Sequence, residues 1–194
     1  MTLPAQYFDK LYRENKDPWN FEQSDYEREK YSKTINALPR ALYHNAFEIG
    51  CSIGVLTQRL ASRCQKLLSV DVSELPLTTA RARLKDQKHV EFKCMNVPTT
   101  FPEDHFDLVV VSEVGYYWSQ PDLAIALQKI MDALVPGGHL LLVHWTSVVN
   151  DYPLLGDEVH NAFDNYATLT EQLTRLYRHR AEKYRLDLWE AVPT

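Results

Sequence analysis

The chain has 194 residues, 45% of them hydrophobic and 24% charged, with a formal net charge of −5 and a pI near 5.8. That length supports one sizeable core and is short for two, so a single domain over 1–194 is expected. The acidic balance argues against a nucleic-acid partner, which would call for a basic face, and no apolar run is long enough to span a bilayer.

The N-terminus, MTLPAQYFDK, lacks the charged and apolar regions of a signal peptide. Cys51, Cys64 and Cys94 are odd in number and show no CxxC spacing, as expected of free thiols in a reducing cytosol. The expected setting is therefore cytoplasmic, without a membrane partner.

In chain order, YFDKLYRENKDPWNF and SDYEREKYSKTINAL read as two helical stretches around a turn at Asp17-Pro18-Trp19, with Ser24 or Asp25 as N-cap. This charged, aromatic segment, 1–44, is expected to form a helical lid on an α/β core over 45–145. In that core AFEIG is a strand, VLTQRLASRC a helix, KLLSVDV a strand, LPLTTARARLK a helix and VEFKCMNV a strand. FDLVVVSEV is a strand by its β-branched run, DLAIALQKIMDAL an amphipathic helix and GGHLLLVHW a further strand. Strands alternating with helices of this length predict a doubly wound, mostly parallel α/β sheet. Beyond it, in 146–194, DEVHNAFDNYA reads as an acceptor-side helix and LTRLYRHRAEKYRLDLWEAV as two antiparallel edge strands.

The loop in FEIGCSIGVL admits two readings. GCSIG fits the G-x-S-x-G nucleophile elbow, with Ser52 attacking and Asp107 and His144 as nominal partners. An elbow, however, follows several strands and borrows an oxyanion-hole N–H from an earlier loop; this loop follows the first strand. As a cofactor loop the segment explains more residues. Gly50 permits the tight turn, Gly54 lets the next helix pack closely, and Asp71 lies 21 positions after Gly50, where an acidic residue takes a ribose hydroxyl pair. GxGxxG is absent, and Glu48 would oppose a pyrophosphate. The ligand predicted is one with a ribose, no phosphate and a positive centre, as in S-adenosylmethionine.

Glu48-Gly50-Gly54, Asp71, FDLVVVSEV and LVPGGHLLLV resemble the class I S-adenosylmethionine-dependent methyltransferases. More narrowly, DPWNF, YEREKY, EIGCSIGVLTQRLA, VDVS and SEVGYY resemble the nodulation protein S family over about residues 7 to 145. The resemblance implies a Rossmann-like, seven-stranded sheet and S-adenosylmethionine as cofactor. It also implies N-methylation of a small amine-bearing acceptor, such as the terminal glucosamine of a de-N-acetylated chito-oligosaccharide.

By the same resemblance Glu48, Gly50, Cys51, Ser52 and Gly54 cradle the methionine part, and Asp71 holds the ribose with Val72 beside the adenine. Asn96 and Val97 flank the adenine edge, and Trp19 and Arg28 close over the cofactor. Asn96 stands where the family more often has Asp; an amide still donates and accepts there.

Ligands in such sheets bind at the carboxyl ends of the strands, so Ser112, Glu113, Tyr116, Tyr117, His144 and Trp145 are expected to converge on one mouth. Ser112 is assigned to the cofactor and Tyr116, Tyr117 and Trp145 to the acceptor. Glu113 takes the proton of an amine, while His144 would serve a hydroxyl acceptor in an O-methyltransferase. Each has a plain counterpart: Trp19 as an anchor, Arg28 as a solvated charge, Cys51 as packing, the tyrosines as lid packing, Glu113 as an ion-pair partner and His144 as a hydrogen-bonded strand end. Asp157, Glu158 and His160 in DEVH lack metal-ligand spacing, and no metal is expected. The partner expected is a small molecule, with the protein a monomer or homodimer. A non-catalytic binding module of the same fold remains the other class of alternative.

Overall fold

Alternation of strand and helix patterning carries through to the structure, a computed structural model that describes residues 1–192. The chain divides into two compact units, Pro4–Asn96 and Met1–Leu3 with Val97 onward.

The first unit begins with helices α1 (Ala5–Glu14) and α2 (Asp25–Asn36). Ser24, not Asp25, caps α2: its hydroxyl accepts from Glu27 N–H at 3.3 Å. Between the helices the Asp17 carboxylate accepts from the N–H groups of Phe21 and Glu22, which closes the turn around Pro18 and Trp19. Then come β1 (Tyr43–Ile49), α3 (Val55–Ala61), β2 (Cys64–Asp71), α4 (Glu74–Arg83) and β3 (Val90–Cys94). Parallel pairing gives the order β3-β2-β1, with Ala46 opposite Leu67 and Phe47 opposite Leu68. Tyr43, Phe47, Leu60, Leu67 and Leu77 form its buried centre; α1 packs on α4 and α2 on α3.

The second unit carries β4 (Phe106–Ser112), a short 3-10 turn at Gly115–Tyr117, α5 (Gln120–Ala133), β5 (Leu134–Trp145), α6 (Gly156–Thr170), β6 (Leu173–Arg180) and β7 (Tyr184–Ala191). Its order is β4-β5-β7-β6, with β4 and β5 parallel and both contacts of β7 antiparallel. The seven-stranded, mostly parallel α/β class and its antiparallel C-terminal edge are thus as expected. β5 is buried on both faces, with Leu140, Leu141, Leu142 and Val143 at most 1% exposed; this is why LLLV reads as a continuous apolar run without alternation.

Helix α6 faces the edge strands with a polar stripe. Asp157, His160, Asn161 and Asp164 recur at helical spacing and meet Arg180, Asp187, Arg185 and Arg178. Arg175 adds a 2.6 Å contact to Asp164 and lies over the Trp189 ring. Opposite this stripe, Val159 and Phe163 are fully buried. Gly156 begins the helix against the Trp145 carbonyl, where an added Cβ would lie 2.0 Å from that oxygen.

Candidate functional site

In the first unit the loop after β1 is built around left-handed backbone. Gly50 and Gly54 have φ of 84° and 78°, and Ser52, with φ 49°, joins them although it bears a side chain. The N–H groups of Gly50 and Cys51 both donate to the Val70 carbonyl. A Cβ on Gly54 would lie 3.0 Å from Ala80 Cβ, so α4 requires the bare glycine.

Two carboxylates brace this loop. Glu48 is buried, and its Oε2 accepts from the hydroxyls of Thr57 at 2.6 Å and Ser69 at 2.7 Å, linking β1 to α3 and β2. Burial pushes its carboxyl up to about 7, against the pull of those two hydrogen bonds. Asp71 ends β2 and accepts Ser52 N–H on Oδ2 at 2.9 Å and Ser73 N–H on Oδ1 at 3.0 Å. Burial raises it to about 6, while the backbone N–H groups of Ser73, Ser52 and Val72 oppose the rise. A carboxylate has about four lone-pair positions, so each oxygen of Asp71 keeps room for a ligand hydroxyl. A loop flanked by two buried acids fits a vicinal diol and a cationic centre better than a pyrophosphate.

Two residues the sequence reading passed over complete the loop. Tyr12 of α1 shares a 2.6 Å hydrogen bond with Ser52 Oγ, and Asp9, one turn earlier, accepts from Ser73 Oγ at 2.6 Å. Burial and then the Asp71 charge push the Tyr12 phenol well above its ordinary range, so it stays protonated. Their i, i+3 spacing places both on one face of α1, which is as much of this contact as the sequence holds.

These contacts also decide the Ser52 question. A nucleophilic serine needs a base, and among the described residues the partner of its hydroxyl is the Tyr12 phenol, not a histidine. The elbow reading fails on that geometry.

The remaining first-unit residues fall as follows. Cys51 is buried with its thiol pushed up by burial, which suits packing and not reactivity. Val72 is half-buried beside Asp71, and Asn96 is exposed after β3. Trp19 meets Tyr12 edge-on with ring centroids 5.7 Å apart and stacks on Phe21. Arg28 is exposed on α2 and pairs with Asp25 on the same helix.

In the second unit, Val97 and Ser112 are buried and the strand β4 gives way to Glu113, whose φ of 57° turns the chain. Glu113 N–H donates to the Val143 carbonyl. Its Oε2 accepts the Tyr116 hydroxyl at 2.6 Å and Trp145 N–H at 2.8 Å. Burial and then the Glu113 charge hold the Tyr116 phenol well above its ordinary range, leaving it a donor. Tyr116 stacks on Tyr152 with centroids 5.0 Å apart, and Tyr117 meets both rings edge-on. Trp145 is half-buried under the Lys183 ammonium. Tyr152 is the member of this cluster that sequence reasoning did not nominate.

His144 is fully buried, and its Nε2 accepts Gly115 N–H at 3.0 Å. That lone pair is committed to the backbone, so His144 is not a general base and the O-methyl route through it loses its proton acceptor. In DEVH the three side chains diverge: Asp157 goes to Arg180, Glu158 to Leu155 N–H and His160 to Asp187. Among the described residues no cluster of three or more His, Cys, Asp or Glu side chains is placed to hold a metal ion, and no helix is long and apolar enough to cross a membrane.

Residues 5–150 match the model of the family Nodulation protein S (NodS). The chain belongs to the nodulation protein S family. Curated members include nodulation protein S of Rhizobium tropici, 32% identical over 127 residues that make up 64% of this chain and 53% of that protein. The protein of Sinorhizobium fredii is 31% identical over 64% of this chain and 59% of its own length. The chain thus spans somewhat over half the length of the curated nodulation protein S sequences it matches. Among solved structures, the N-methyltransferase NodS of Bradyrhizobium japonicum WM9, in complex with S-adenosyl-L-homocysteine, superimposes with a TM-score of 0.81 at 25% identity, over 96% of this chain and 97% of that one. A Pseudomonas syringae protein provisionally described as a methyltransferase is 36% identical, with a TM-score of 0.74 over 85% of this chain and 98% of that one.

Proposed function

We propose that this chain is an S-adenosylmethionine-dependent N-methyltransferase acting on a small molecule that presents a primary amine, with the terminal glucosamine of a de-N-acetylated chito-oligosaccharide as the leading candidate. The observation that carries the cofactor is the buried Asp71 carboxylate, held by Ser52 and Ser73 N–H groups beside a left-handed loop. Membership of the nodulation protein S family supports the amine.

When bound, S-adenosylmethionine supplies a methyl group already activated on a sulfonium. The protein's part is to hold a neutral nucleophile in line and keep water out, so orientation contributes most of the rate. Gly50 and Ser52 present backbone, Glu48 braces the loop and offers negative charge, and Asp71 takes the ribose hydroxyls. Val72 and Asn96 would line the adenine, with Trp19 and Tyr12 on the lid side. Arg28, held in an exposed pair with Asp25, has the weakest support for a cofactor role.

An amine arrives as an ammonium near neutral pH and must shed a proton before attack. Glu113 is the proposed acceptor: Tyr116 and Trp145 fix one of its oxygens and so aim the carboxylate. Tyr116, Tyr117 and Trp145 with Tyr152 give the acceptor an aromatic surroundings suited to a sugar face or a cation.

The test is methyl transfer from labelled cofactor to a panel of amines and matched hydroxyl compounds, headed by glucosamine-terminated chito-oligosaccharide. Label is expected on amines alone. Transfer confined to hydroxyl acceptors would overturn the N-methyl assignment, and absence of S-adenosylhomocysteine binding would overturn the enzyme assignment itself.

A further inference from the structure

A row of buried hydrogen bonds ties β7 to the turn after β4. Gly115 N–H donates to His144 Nε2 at 3.0 Å, His144 Nδ1 meets His160 Nε2 at 3.1 Å, and His160 Nδ1 meets Asp187 Oδ2 at 2.7 Å. A backbone N–H only donates, so Nε2 of His144 bears no proton and the neutral ring carries its proton on Nδ1. His144 therefore donates to His160, and His160 donates to Asp187. Every proton in the row points the same way.

The far end of the row is locked. Asp187 also accepts from Arg178 at 2.6 Å and Arg185 at 2.7 Å, and both rings and the carboxylate are fully buried. Burial alone would raise Asp187, but the His160 and Arg178 hydrogen bonds outweigh it and hold the carboxyl at about 2. Burial lowers His160 and keeps it neutral.

The near end lies against Glu113. Trp145, next in sequence to His144, gives Glu113 one hydrogen bond, and Tyr116, next to Gly115, gives it another. α6 closes the turn from another side, since a Cβ on Gly115 would lie 2.5 Å from Val159 Cγ1 and 3.0 Å from His144 Nε2. The hydrogen bonds that Trp145 and Tyr116 give Glu113 thus spring from residues adjoining the Gly115–His144 bond.

We propose that His160 and Asp187 are positioning residues for methyl transfer: they fix the His144 tautomer that accepts from Gly115 and so hold the Glu113 carboxylate in its working orientation. The inference rests on Glu113 being the proton acceptor. Both residues lie beyond position 150, where the family match ends.

The experiment combines ¹⁵N-histidine NMR with kinetics on an active amine acceptor, for wild type, His160→Gln, His160→Leu, Glu113→Gln and the double variant His160→Leu/Glu113→Gln. In wild type His144 is expected as the Nδ1–H tautomer. Gln accepts from His144 and donates to Asp187, so His160→Gln should keep kcat within about threefold. His160→Leu should lower kcat about tenfold or more while S-adenosylhomocysteine affinity stays within about twofold, and adding it to Glu113→Gln should cost little more, because the two act as a unit. A His144 proton on Nε2 in wild type, or a His160→Leu loss that adds fully to that of Glu113→Gln, overturns the positioning role. Wild-type turnover in Glu113→Gln overturns the proton-acceptor reading instead. Should His160→Leu lose the fold, the wild-type tautomer and the His160→Gln rescue still decide.

Discussion

Tyr12 and Ser52, forty residues apart, share a buried hydrogen bond of 2.6 Å. It joins the N-terminal helix to a loop residue held at φ 49°, in a conformation a side chain normally avoids. Tyr12→Phe removes the hydroxyl and leaves Ser52 Oγ to find another partner, a loss of about 1 kcal/mol. S-adenosylhomocysteine affinity should fall roughly fivefold, as measured by calorimetry. Unchanged affinity would mean that the helix does not support the loop.

Asp71 accepts from the Ser52 and Ser73 N–H groups and is the residue proposed to take the ribose. Asp71→Ala should weaken S-adenosylhomocysteine by about 1 to 3 kcal/mol. Asp71→Asn should recover little, because an amide NH₂ would face the Ser52 or Ser73 N–H. Protonation has the same consequence, so wild-type affinity should decline as pH drops through about 6. A flat affinity between pH 7 and about 5 would count against the role.

Glu48 has the opposite linkage to most carboxylates. Its folded-state value, raised by burial to about 7, exceeds the ordinary 4.5, so its contribution to stability is greatest below about 4.5 and is lost as pH rises through 7. Glu48→Gln removes that penalty while Thr57 and Ser69 still donate to the amide oxygen. The variant should match wild type near pH 5 and exceed it by up to roughly 3 kcal/mol near pH 8. Thermal melts across that range check it; a difference independent of pH would refute the buried-acid account.

The segment between α1 and α2 carries exposed Asn15, Lys16 and Asn20 around Trp19. As a lid, it should order further over bound cofactor, and limited proteolysis there should slow several-fold with S-adenosylhomocysteine. Equal cleavage rates with and without ligand would remove the lid role.

Much of this was legible in the chain itself. Apolar runs bounded by turn residues marked the central strands β4 and β5, because a strand buried on both faces has to be continuously hydrophobic, as Leu140–Val143 show, whereas the edge strand β3, VEFKC, alternates and is largely exposed. Alternation in RLDLWEAV marked the antiparallel edge, with Leu186 and Leu188 on one face and Asp187 and Trp189 on the other. Gly50, Gly54 and Asp71 carried their meaning in spacing, since left-handed backbone and a strand-end acid are local requirements.

Tertiary structure alone decided which groups those residues meet. Tyr12 and Asp9 read as ordinary positions of an amphipathic helix until α1 docks on the loop. His144 read either as a base for a hydroxyl acceptor or as a hydrogen-bonded strand end, and only the arrival of the Gly115 N–H at its Nε2 decides for the second. His160 and Asp187 are 27 positions apart and meet through the docking of α6 on β7. Hydrophobic periodicity reports burial, which is a property of each element by itself. A hydrogen bond between distant side chains depends on how elements pack, and the order of residues along the chain holds no local trace of it.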